Sequence, residues 1–252
     1  YSEKPLGINF AEGQKLAETA KAKGLRIGAA PDTFLGGSHQ TAREMIDAGV
    51  LGTPVGGTAT FMCPGHERWH PNPDFYYEVG GGPMLDMGPY YITDLVNLLG
   101  PVSRVAGFAI APRRERLITS QPRNGEKIPV HVATHVAGVM AFDCGAVVQI
   151  GMSFDVAGHK HVPLEIYGTD GTLIVPDPNH FGGQIDYLKK GGSFECQLRV
   201  EQAACLIGAG IEARLVVDDI GKAATPNIDP VGNPTDGNID GAEQDSAAHF
   251  CQ

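Results

Sequence analysis

Val132 to Phe142 reads VATHVAGVMAF, Ala146 to Phe154 reads AVVQIGMSF, and Asp143-Cys144-Gly145 joins them. Two apolar runs with a short, glycine-ended connection read as an antiparallel hairpin. Working outward, Val55 to Met62 and Val102 to Ala111 read as further strands. Gly168-Thr169-Asp170-Gly171 supplies another turn between strands. This region therefore reads as an antiparallel sheet built of hairpins and interrupted by one helix. That helix starts near Gly88-Pro89, where proline suits the first turn. It runs through Tyr91, Leu95 and Leu98 to a stop at Gly100-Pro101. A second helix is expected from a Ser38 cap through Ala48, with Gly49 as its stop.

The amino-terminal end has a different style. Glu3 to Ile8 reads as a strand end and a turn. Asn9, with Glu12 three residues on, has the spacing of a capping box, and Gly24 stops the helix that follows. Leu25 to Ala30 reads as a short buried strand, so residues 3–30 form a strand–helix–strand unit of a parallel sheet. After about Gly192 the periodicity fades into a stretch rich in Asp, Gly, Asn and Pro, read as a disordered or poorly packed tail. Three parts are expected: 1–31, 32–192 and 193–252. The fold class is a mixture of α/β and α+β.

Bulk properties exclude several function classes. A net charge of −10 over 252 residues argues against nucleic acid and anionic membrane as partners. No apolar run approaches the roughly 18 residues of a membrane-spanning helix. The five cysteines are scattered and contain no Cys-x-x-Cys pair, which argues against a zinc site or a disulfide framework. A reducing compartment fits best, and cytoplasmic location is expected.

Candidate chemistry gathers in three places. Glu3-Lys4-Pro5 puts a lysine at a strand end, where open α/β sheets hold ligands. Gly80-Gly81-Gly82-Pro83-Met84-Leu85-Asp86-Met87-Gly88-Pro89-Tyr90-Tyr91 lets backbone approach a ligand closely. It also sets Asp86 and Tyr90 four residues apart. A lysine cation near Tyr90 is expected to lower its pKa, so that Tyr90 takes a hydroxyl proton while hydride leaves the same carbon. Asp86 is expected to accept a hydrogen bond from a substrate hydroxyl. The plainer alternative makes Asp86 a helix cap, Tyr90 a packed core residue and Lys4 a solvated surface group. The loop from Cys63 to Tyr77 contributes His66, Trp69 and His70, a combination suited to binding a sugar ring, and no metal site is expected there.

Together, Glu3-Lys4-Pro5 and Gly80 to Asp94 resemble the Gfo/Idh/MocA oxidoreductases, a family named for glucose–fructose oxidoreductase and inositol dehydrogenase. Ala29-Ala30-Pro31-Asp32-Thr33-Phe34, Val50 to Val55 and Glu165 to Leu173 add to the resemblance, which covers roughly residues 3–190. It implies a Rossmann domain binding NAD or NADP, followed by a mostly antiparallel open sheet with helices on one face. On this basis residues 1–31 are a Rossmann remnant and 32–192 the substrate-binding domain.

The resemblance also implies roles. Lys4, Tyr90 and Asp86 become the catalytic set. Glu3, Lys4, Pro5 and Asp32 become cofactor contacts, and Asp86, His66, Trp69 and His70 substrate contacts. The family motif commonly reads D-x-G-x-H-x-x-D. Here Asp86 and Gly88 match, Tyr90 takes the histidine position, and Asp94 falls one residue late.

No G-x-G-x-x-G phosphate loop occurs in this sequence. The chain is therefore expected to be a gene fragment, inactive alone, with residues 193–252 atypical or frame-shifted. The expected function is NAD(P)-dependent hydride transfer on a sugar, cyclitol or related polyol, with homo-oligomerisation through the antiparallel sheet. Two alternatives stay open: an NAD-retaining glycosidase of the same fold, and a non-catalytic sugar-sensing or oligomerisation module.

Overall fold

The computed structural model describes residues 1–192, together with the backbone of 197–200 and 215–217. Apart from those short stretches, the expected tail from 193 lies outside the described residues. A sheet dominates. Its strands are β1 (Pro54–Met62), β2 (Val102–Ile110), β5 (His135–Phe142), β6 (Val147–Ser153), β7 (Leu164–Gly168), β8 (Gly171–Val175), β9 (Gly183–Lys189), β10 (Gln197–Val200) and β11 (Leu215–Val217). They are ordered β11-β10-β9-β8-β7-β1-β6-β5-β2. Among the described residues β1 and β6 are parallel, and every other neighbouring pair is antiparallel. The short strands β3 (Glu115–Leu117) and β4 (Lys127–Pro129) form a separate two-stranded ribbon.

The hairpin expected from sequence is the β5–β6 pair, registered from His135 opposite Ser153 to Ala141 opposite Val147. Gly145 adopts a φ of 93°, a value that favours glycine, and its N–H closes the turn onto the Phe142 carbonyl. Side chains alternate as a pleated strand requires: Val148, Ile150 and Met152 are buried, while Val147 and Gln149 face outward.

The helices α2 (Gly37–Asp47) and α4 (Gly88–Leu99) belong to the core cluster on the buried face. In α4 the residues Tyr91, Leu95 and Leu98 recur at helical spacing and are buried against Val148, Met152 and Leu164. Gly100 ends the helix at a φ of 86°. The helix does not extend back to Asp86. A separate turn, α3 (Pro83–Asp86), precedes it, with Met87 between them.

At the amino end, α1 (Phe10–Ala22) starts as expected. The Asn9 side chain accepts from the Glu12 N–H at 3.0 Å, and the Glu12 carboxylate accepts from the Ile8 N–H at 3.1 Å. Leu25 to Ala30 departs from expectation. Only Ala29 bridges in parallel to Ser2, and Leu25 and Ile27 are exposed. One neighbouring residue offers too few partners to hold a strand of that length.

The start of α2 also differs. Gly36 is its cap, and Ser38 lies inside the helix, donating to the Gly183 carbonyl at 2.7 Å. A side chain at Gly36 would lie 1.8 Å from the Phe181 carbonyl oxygen, so the close passage of the chain there selects glycine.

Candidate active site

Ser2 pairs in parallel with Ala29, so Glu3-Lys4-Pro5 leave the carboxyl end of that small parallel pair. Lys4 reaches across 82 residues of sequence to α3. Its Nζ donates to Asp86 Oδ1 at 2.6 Å and to the Asp86 carbonyl at 2.6 Å. The same ammonium lies 5.3 Å from the centre of the Tyr90 ring. A turn of four residues followed by Met87 and then α4 brings Asp86 and Tyr90 to one site without a continuous helix.

His66 comes from a short 3₁₀ turn, His66–Arg68, after β1. Its Nε2 lies 3.4 Å from Asp86 Oδ2, and its Nδ1 accepts from the Trp69 indole N–H at 3.1 Å. Tyr76 and Phe154 pack on the His66 ring, with centres 4.5 and 4.6 Å away.

The electrostatics follow from these contacts. Burial alone would raise the Asp86 pKa. Hydrogen bonds from His66 and Lys4 and the Lys4 charge outweigh it and hold the carboxyl below its ordinary value. Tyr76 is pushed up to about 12 by burial and by the nearby Asp86 charge. The Tyr90 phenol is also raised, by burial first and then by Asp86, Glu3, Asp32 and Asp177. This reverses the expectation that Lys4 lowers it. The ammonium lies over the ring face with its hydrogen bonds on Asp86, and the carboxylates around Tyr90 disfavour a second negative charge. The Tyr90 hydroxyl itself makes no hydrogen bond among the described residues.

Most of the sequence-derived set converges. Lys4, Asp86, Tyr90 and His66 meet directly, and Trp69 joins through His66. Glu3 and Asp32 are exposed and act on Tyr90 by charge, and Pro5 is half-buried beside Lys4. His70 joins the edge of the cluster: its ring packs on Trp69 at 5.3 Å and on Phe75 and Tyr76, while its Nδ1 accepts from the Asn72 N–H. Asp86 takes Lys4 on Oδ1, and His66 Nε2 lies 3.4 Å from Oδ2; each carboxylate oxygen keeps a further lone pair, so acceptance from a substrate hydroxyl stays compatible with this geometry.

Sequence reading missed the support beneath this loop. Arg116, from β3, is buried and bonds Glu67 Oε1 at 2.9 Å, the Phe154 carbonyl at 2.7 Å, the Pro64 carbonyl at 2.9 Å and the Asp155 carboxylate. Tyr77 donates to the other Glu67 oxygen. It also left Asp94 without a role. Asp94 is buried and accepts from His39 Nδ1 at 2.8 Å, while His39 Nε2 bonds the His180 carbonyl at 2.9 Å. No short-range spacing links these partners.

Residues 39–174, more than half of the chain, match the model of the GFO/IDH/MocA C-terminal domain. The chain belongs to the GFO/IDH/MocA family. A dTDP-3,4-didehydro-2,6-dideoxy-alpha-D-glucose 3-reductase of Streptomyces antibioticus is 28% identical over 175 residues, covering 68% of this chain and 47% of that protein. An NAD binding oxidoreductase from Klebsiella pneumoniae superposes with a TM-score of 0.62 at 26% identity, covering 76% of this chain and 50% of that one. Levoglucosan dehydrogenase in complex with NADH and levoglucosan shares the fold, with a TM-score of 0.59 at 19% identity over 86% of this chain and 53% of that one. The GFO/IDH/MocA chain thus spans about half the length of these relatives. Among the described residues no helix is long and apolar enough to cross a membrane.

Proposed function

We propose that this chain carries the proton-handling half of an NAD(P)-dependent oxidoreductase that reduces a carbonyl on a sugar or related polyol, or oxidises the matching alcohol. The observation that carries this reading is the placement of Lys4 Nζ, 2.6 Å from Asp86 and 5.3 Å from the Tyr90 ring centre. An ammonium, a carboxylate bonded to it and a phenol with no partner among the described residues suit the stabilisation and protonation of a nascent alkoxide. Because the Tyr90 pKa is raised, the phenol keeps its proton at neutral pH and is armed as the acid of the reductive direction. The relatives that bear reductase names favour the same direction.

The residues present fit the nicotinamide end of a dinucleotide. Glu3-Lys4-Pro5 lie at the carboxyl end of a parallel pair, and Lys4 keeps a third N–H beyond the two given to Asp86. When bound, NADH or NADPH supplies the hydride. Tyr90 gives its hydroxyl proton to the substrate oxygen, and Lys4 stabilises the charge that develops there. The reverse steps serve alcohol oxidation. Half-exposed Trp69, beside His66, offers an apolar face for a sugar ring.

In this proposal residues 1–31 end a nucleotide-binding domain and 32–192 form the substrate domain. The protein works as a homo-oligomer in the cytoplasm. The unbonded thiols Cys63 and Cys144 suit a reducing compartment. The test is NAD(P)H oxidation with a panel of keto-sugars, using the chain extended upstream to include a nucleotide-binding domain. Activity that depends on Lys4 and Tyr90 supports the reading; activity indifferent to both refutes it.

A further inference from the structure

An indole nitrogen only donates. The Trp69 Nε1–H lies 3.1 Å from His66 Nδ1, so Nδ1 presents a lone pair and the imidazole proton sits on Nε2. That nitrogen lies 3.4 Å from Asp86 Oδ2, the oxygen Lys4 does not hold. The ring is packed by Phe61, Tyr76 and Phe154, and the adjacent Glu67 is pinned by Arg116 and Tyr77.

We infer that His66 is a positioning residue for the Lys4–Asp86 pair, with Trp69 fixing its tautomer. The neutral imidazole donates from Nε2, holds Asp86 ionised and turns Oδ1 toward Lys4. Among the described residues the third N–H of Lys4 and the hydroxyl of Tyr90 have no partner and are left for the ligand.

The titratable and charged groups around the ring are Asp86 with Lys4 behind it, the Tyr76 hydroxyl, the Cys63 thiol and the Glu67–Arg116 pair. Trp69 is the only tryptophan of the chain, so its indole N–H gives one unambiguous signal.

The inference concerns the site of the proposed function but does not use its reaction. It is therefore tested by NMR on the 252-residue chain without cofactor or sugar. A failed dehydrogenase assay leaves it standing, and its failure leaves the assay open. In the unmodified chain the Trp69 indole N–H should exchange slowly with water at neutral pH. His66→Phe should abolish the protection and raise the Asp86 titration midpoint. His66→Gln should preserve both readouts, since its amide oxygen can accept from Trp69 and its N–H can donate to Asp86. An indole N–H that exchanges at the free rate in the unmodified chain would overturn the inference without any variant. So would a His66→Phe chain with both readouts unchanged, or a folded His66→Gln chain that loses them.

Discussion

Tyr90 lies under the Lys4 ammonium, yet its proton is held more tightly than in water, because burial and the charges of Asp86, Glu3, Asp32 and Asp177 oppose ionisation. A general acid of this kind works while protonated. Sugar reduction should therefore be flat through neutral pH and should fall only as pH rises through a Tyr90 pKa above about 10, a limb that disappears in Tyr90→Phe. Removing the hydroxyl should lower kcat about 10²- to 10⁴-fold in the extended protein, measured by NAD(P)H oxidation. Lys4, Asp86 and Tyr90 were legible in the sequence because each sits in a motif whose glycine or proline marks special backbone. The direction of the Tyr90 shift was not legible. It depends on carboxylates from Glu3 to Asp177, which the fold alone assembles.

At the scale of elements, His39 joins α2 to Asp94 of α4 and to the His180 carbonyl. Burial lowers the His39 pKa, and the hydrogen bond and charge of Asp94 more than reverse this, so it stands above 6.5 in the folded chain. The sign is that of a group charged more readily when folded. Its stabilisation is complete below about pH 6.5 and is lost as pH rises through the folded pKa. Thermal unfolding midpoints should therefore decline as pH rises above about 6.5 and through the folded His39 pKa, on account of this pair. Replacing His39 with alanine should remove that dependence and cost about 3–5 kcal/mol, since Asp94 Oδ1 already has no partner among the described residues. Arg116→Met should cost a similar ~3–5 kcal/mol by stranding Glu67 and Asp155, read by denaturant unfolding. The helix α4 and the β5–β6 hairpin were readable because periodicity and turn residues are local signals. The β3–β4 ribbon was not, since three residues per strand carry no period, and the Arg116 contacts to Glu67 and Asp155 span 49 and 39 residues.

At the scale of the whole molecule, the sheet packs one face against α2 and α4. On the opposite face Ala106 pairs with Val139, and among the described residues Phe108, Val139 and Val147 are exposed, Phe108 at 87%. An exposed apolar patch on the described edge strand and its neighbours is suited to a second copy of the chain. Sedimentation should accordingly show a dimer or larger assembly that Phe108→Asp shifts toward monomer; an unchanged mass would speak against this face. The open sheet with helices on one side was legible from the runs and turns between Val55 and Gly171. The sparse pairing at the amino end was not, because strand identity at Leu25 to Ala30 depends on neighbours that local sequence does not specify. The central claim is that Lys4 and Tyr90 handle the proton of a sugar oxidoreductase. Its most direct test is the single-turnover rate of keto-sugar reduction in the extended protein, compared among the unmodified chain, Lys4→Met and Tyr90→Phe. A fall of about 10²-fold or more in both variants, with the fold retained, is the predicted result. Rates equal to the unmodified chain in both would contradict it.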